Sequence, residues 1–131
     1  MQFTSRQFAD VDVAAPVGRI DHLSAGALEE ALAPLLARSA AGGKGVVLDL
    51  AGVEYISSVG LRVLMIAAKE MRAHGARIAV AALQPVVAEI FAISRFDSVL
   101  EVAPSVRSAL ETLSAAALAA FNAVSPVSSR P

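Results

Sequence analysis

At 131 residues, 56% hydrophobic but only 5% aromatic, and with a formal net charge of -1, the chain has the length of one domain and can bury a single core, built from aliphatic contacts. Near-neutrality gives no electrostatic reason to expect binding to nucleic acid or an anionic membrane, and the absence of cysteine excludes a disulfide framework, a thiolate nucleophile and a cysteine metal site. The opening MQFTSRQFADVD lacks the basic-then-apolar layout of a secretory signal and no run of about 18 apolar residues is present to span a bilayer, so a soluble cytoplasmic protein is expected.

Gln2 to Arg6 and Val11 to Val17 alternate apolar and polar residues on either side of Ala9-Asp10, which predicts two strands joined by a hairpin turn. Ser24 stands at an N-cap position before Leu28, Ala31, Leu32 and Leu35, the i, i+3, i+4, i+7 spacing of a helix with one buried face. Pro34 removes one hydrogen bond from that helix and predicts a kink or an early end. Gly42, Gly43 and Gly45 then lead into Val46 to Leu50, a continuous apolar run of the kind buried on both faces of a parallel sheet. The GGKG fragment precedes this strand, whereas phosphate-loop glycines follow a strand and open a helix, so it reads as a turn.

Helical spacing returns at Leu61, Leu64, Met65, Ala68 and Met71 and stops at His74-Gly75, where glycine can take a left-handed cap. Arg77 to Ala81 is the next strand, Pro85 opens a helix through Val87, Ile90 and Phe91, a short strand is expected at Val99 to Val102, and a last helix runs from about Ser105 to Leu113. After Ser114 the Ala-rich half of the tail is read as an extension of that helix and the Ser- and Pro-rich half as a frayed end. Strands separated by helices require right-handed crossovers. The fold class expected is therefore α/β, one mixed β-sheet of four or five strands with helices packed on it.

Catalytic chemistry is scarce. His22 and His74 are isolated and turn-like, Asp21, Asp49 and Glu54 are explained by strand ends and turns, and no serine sits in a G-x-S-x-G elbow. No metal-ligand spacing and no G-x-G-x-x-G motif is present, so neither a metal nor another cofactor is expected, and the chain does not read as an enzyme.

Three segments nevertheless form a pattern: Val17 to Asp21 (VGRID), Val46 to Leu64 (VVLDLAGVEYISSVGLRVL) and Leu83 to Val102 (LQPVVAEIFAISRFDSVLEV). Together they make residues 1–113 resemble the STAS domain family, the anti-sigma factor antagonists and their relatives, with residues 114–131 outside the resemblance. The resemblance implies partner switching. An unmodified serine before the second helix lets the domain bind a histidine-kinase-like serine kinase that doubles as anti-sigma factor, phosphorylation releases it, and a metal-dependent serine phosphatase restores it. The family's D-S-x-G-L or D-S-S-G-L falls on Ser57 to Leu61, which puts Ser58 at the phosphoacceptor, Gly60 at the glycine and Ser57 in place of the aspartate. Ser57 thereby becomes an alternative acceptor, and Asp21 falls in the family's turn after the second strand. A second reading keeps the same domain as a constitutive interaction subunit of a signalling scaffold or transporter accessory complex, without phosphorylation.

The physics of the segment suits a switch. A phosphate just before a helix meets unpaired backbone N–H groups and the positive end of the dipole, so the fold tolerates it while an interface does not. On helical spacing Gly60, Leu61, Leu64, Met65, Ala68 and Met71 should face the sheet, which leaves Val59, Arg62, Val63, Ile66 and Lys69 on the outer side as a partner surface beside Ser57 and Ser58.

Overall fold

A computed structural model describes residues 1–98 and 100–124. The N-terminal alternation produces the hairpin: β1 (Gln2–Phe8) and β2 (Val11–Ile20) pair antiparallel from Gln2↔Val17 to Phe8↔Val11, with Ala9 at a φ of 55° in the turn. Both strands run beyond their expected ends, and β2 does so because it has two successive neighbours. Its first part pairs parallel with β3 (Gly45–Asp49), and its last residues, Gly18 to Ile20, pair parallel with β4 (Val53–Ile56), with a register shift between Gly18 and Arg19.

β4 adds to the sequence reading, which assigned no strand between Leu50 and Leu61. The segment from Val46 to Ile56 is two strands that run in the same direction along β2, joined by a tight turn in which Asp49 Oδ1 accepts from the Ala51 N–H and the Leu50 carbonyl from the Val53 N–H. With β5 (Arg77–Ala81) and β6 (Glu101–Ala103) the sheet has six strands among the described residues, ordered β1-β2-β3-β5-β6 with β4 beside β2, instead of four or five. Only β1 is antiparallel to its neighbour, so the sheet is mixed as expected. Of the strand expected at Val99 to Val102, Val99 lies outside the described residues.

Helices cover both faces. On one, α1 (Ala25–Ala40), α2 (Ser58–Ala73) and α3 (Pro85–Ile93) bury Leu28, Leu32, Leu64, Met71 and Phe91 with Ile20 and Leu48 of the sheet. On the other, α4 (Val106–Leu113) and α5 (Ala115–Val124) bury Leu110, Leu113 and Ala117 with Phe8, Val11 and Val47. Val46 and Leu48 belong to the first core and Val47 to the second. Period-2 alternation with both faces covered thus explains the unbroken apolar run of β3.

Two helix expectations change. α1 passes through Pro34 and continues to Ala40; Pro34 and Glu30 are both exposed, so the carbonyl that loses its donor can turn to water. The Ala-rich segment does not extend α4. Ser114 is extended (φ -163°, ψ 121°), its hydroxyl donates to Asp10 Oδ1 at 2.6 Å and accepts from the Ala117 N–H, and a separate helix starts there. Phe121 of that helix meets Phe8 edge-on at 5.4 Å. The expected frayed end, residues 125–131, lies outside the described residues.

Candidate functional site

The site is the junction of β4 and α2, where the two adjacent serines have different surroundings. Ser57 is the N-cap, with φ -84° and ψ 170°, and its hydroxyl accepts the Gly60 N–H at 3.2 Å. Its own N–H donates to the Ile20 carbonyl at 2.7 Å, tying the cap to the end of β2. Ser58 is the first helical residue, three positions earlier than the apolar spacing predicts; it is exposed, and its hydroxyl has no hydrogen bond among the described residues. One serine is occupied by the fold and the other is open to solvent. Ser57→Ala should therefore cost about 1 kcal/mol of stability, the usual worth of an N-cap, measurable by urea titration.

Gly60 allows this junction to be so tight. A Cβ on it would lie 2.7 Å from Ile20 Cγ2 and 2.9 Å from Ile56 Cγ1, so only a hydrogen lets the first turn of α2 rest on the ends of β2 and β4.

The neighbouring β2–α1 loop is organised by Asp21. Its Oδ1 accepts from the Leu23 and Ser24 N–H groups at 3.0 Å each and from the Ser24 hydroxyl at 3.2 Å. Ser24 occupies the N-cap position of α1 but makes no capping bond; its hydroxyl instead accepts the Asp21 N–H and donates to the Arg19 carbonyl. The loop presents Leu23 to solvent at 81% exposure.

The hydrogen bond from the Ser24 N–H, with smaller help from Leu23 and the Ser24 hydroxyl, holds the Asp21 carboxyl below its ordinary 3.8. A depressed folded pKa stabilises above the unfolded value, and the contribution disappears as the pH falls through the lower folded value. The stability difference between the native chain and Asp21→Asn should accordingly be constant above about pH 5 and shrink below about pH 3.8, read from urea midpoints across that range.

Along α2 the expected outer face divides into two stripes. Ser58, Arg62, Met65 and Lys69 follow one another at i, i+4, i+7, i+11, and Val59, Val63, Ile66 and Glu70 do the same one position on. Arg62 and Lys69 are exposed, and Val59 and Ile66 are 45% and 44% exposed. Val63 corrects the expectation, since it is half-buried and packs against the core. Met65, expected to face the sheet, is only half-buried and shares the stripe of Ser58, while Ala67 takes a buried place. The cause is the turn of the helix about its own axis, which packing against β5 and α1 decides and spacing alone leaves open.

His22 is exposed in the β2–α1 loop, His74 is the C-cap of α2, and the Arg19 guanidinium lies 4.6 Å over the Tyr55 ring. Among the described residues no group of three acidic, histidine or cysteine side chains could hold a metal ion, and no helix is long and apolar enough to cross a membrane.

Comparison with known proteins places this geometry. The model of the STAS domain matches residues 5–109. BtrV of Bordetella bronchiseptica, named as an anti-sigma factor antagonist, is 37% identical over 105 residues, covering 80% of this chain and 88% of BtrV. An anti-sigma factor antagonist from Mycobacterium paratuberculosis superposes with a TM-score of 0.75 at 26% identity over 86% of this chain and 94% of the other. The Bacillus cell fate determinant SpoIIAA in its phosphorylated form shares the fold, with a TM-score of 0.65 at 12% identity over 86% of this chain and 100% of SpoIIAA. A family match over most of the chain, a relative at this identity and one shared architecture lead to the same conclusion: the chain belongs to the STAS domain family.

Proposed function

We propose that this STAS domain is an anti-sigma factor antagonist that works by partner switching in the cytoplasm. With Ser58 unmodified it binds a histidine-kinase-like serine kinase acting as anti-sigma factor; phosphate on Ser58 releases that partner, and a serine phosphatase resets the cycle. The observation that carries this reading is the division of labour in the pair, Ser57 held as the cap and Ser58 exposed with a free hydroxyl. A kinase needs an accessible acceptor whose modification leaves the fold standing, and in the first turn of α2 a phosphate gains from the helix dipole. Arg62, one turn further on the same stripe, is exposed and unpaired among the described residues, within reach of that phosphate.

The partner surface in this reading is the Ser58 stripe with its apolar neighbours Val59 and Ile66, rimmed by Arg62 and Lys69 and joined by Leu23 of the adjoining loop. Adding about 1.5 to 2 negative charges beside it makes desolvation by a partner costly, which is how the switch releases. The domain itself needs no catalytic group, and it is read as a binding regulator rather than an enzyme. The same apolar surface favours a second reading, a constitutive interaction subunit of a signalling scaffold or a transporter accessory complex. Incubation with a histidine-kinase-like serine kinase from the same genome and ATP, followed by mass-spectrometric mapping, separates the two. Phosphate on Ser58 with loss of binding is expected, and stable binding with no phosphate on either serine would support the constitutive role.

A further inference from the structure

A trough between α1 and α2 borders the switch surface described above and shares Ile66 with it. It encloses about 400 Å³ and is lined from Glu29 to Ala40 on α1 and from Val63 to His74 on α2. Both walls contribute residues at i, i+3, i+4, i+7, i+8 and i+11, so the trough follows the two helices for three turns, about 16 Å at 1.5 Å per residue. Its lining is mostly apolar, and alanines at 33, 37 and 40 on α1 and 67 on α2 keep it open. The acidic groups of the lining, Glu29 on one wall and Glu70 on the other, are exposed and form no ion pair among the described residues, and the lining includes no lysine or arginine.

We infer that this trough is a second docking site, which receives an amphipathic α-helix of a partner protein with an apolar stripe flanked by Lys or Arg. Length and shape argue for a helix. Two parallel ridges of side chains three turns long form the groove into which a third helix packs, and the alanines let its backbone approach. Charge argues for the rim: two unpaired carboxylates facing the same groove attract a cationic flank and repel an acidic one. The inference does not rest on phosphorylation of Ser58, because the α1 wall is separate from the switch stripe and the two surfaces meet only near Ile66.

The test uses two synthetic helical peptides of roughly 14 residues, alike in a leucine stripe and differing in a lysine or a glutamate rim. The lysine-rimmed peptide is expected to bind with a dissociation constant below about 100 μM, and the glutamate-rimmed one at least about tenfold more weakly. Amide shift changes should centre on Ala33, Ala37 and Glu70. Ala37→Arg, an exposed change on α1, should weaken the lysine-rimmed peptide by about tenfold or more, and Glu29→Lys with Glu70→Lys should reverse the preference between the peptides. Equal binding of the two peptides, no binding of either, shift changes outside the trough, or self-association of the protein that Ala37→Arg abolishes would each overturn the inference. Phosphate incorporation at Ser58 should be the same in Ala37→Arg as in the native chain, so failure of the trough and failure of the switch are told apart.

Discussion

Ser58→Ala is expected to abolish phosphate incorporation and to leave kinase binding intact, whereas Ser57→Ala should keep incorporation at the cost of a weaker helix cap. The reasoning is local. Ser57 donates its N–H to Ile20 and accepts the Gly60 N–H through its hydroxyl, so a kinase would have to break the cap to reach it. Ser58 offers its hydroxyl directly. Ser58→Glu imitates only part of the phosphate's charge, so it should bind the kinase more weakly than the native chain but more tightly than the phosphorylated form. Isotope labelling of the three variants and titration of each against the kinase decide the matter. Labelling lost only in the Ser57 variant would move the acceptor to Ser57 and give the cap a regulatory role.

Ile66→Glu should weaken kinase binding by about 2 kcal/mol or more, roughly 30-fold, because it buries an unpaired acid in a contact that must be dry. The fold should change much less, by about 1 kcal/mol or below, since Ile66 is already 44% exposed and the new carboxylate can point to water. Leu64 is the internal control. Fully buried on the same helix, it should lose about 2 to 5 kcal/mol of stability on replacement by Ala, with binding per folded molecule preserved. Thermal melts beside titrations separate the two effects. An Ile66→Glu chain that unfolds while its folded fraction binds normally would assign Ile66 to the core and take the docking surface elsewhere.

Much of the site was legible in residues close together in the chain. The serine pair before a helix, the proline opening α3 and the glycine closing α2 each act through backbone geometry within one turn, and each can be read without knowing what lies across the sheet; Gly60 differs, because its need for a bare hydrogen comes from Ile20 of the distant β2. The resemblance of three segments to one family gave Ser58 its role in the reading, which composition and periodicity could not have done. What stayed hidden depended on partners distant in sequence. β4 is four residues long and has an edge to pair with only because β2 continues past Gly18; no period-2 signal survives in so short a run. Ser24 sits where a cap belongs, yet Asp21 and the Arg19 carbonyl engage its hydroxyl first. Met65, Val63 and Ala67 changed places because packing sets how α2 is turned about its own axis and so selects among neighbouring stripes.

The sequence by itself determined the α/β class, the kind and order of nearly all its elements and the pair of serines at a helix start, since these follow from local steric preference and the spacing of apolar residues. Only the tertiary structure decided which serine is bound into the cap, which flank of α2 meets solvent and that α1 and α2 leave an acid-rimmed trough between them. Those outcomes depend on contacts between segments remote in the chain, where packing and hydrogen bonding choose among alternatives that local preference leaves equal in energy.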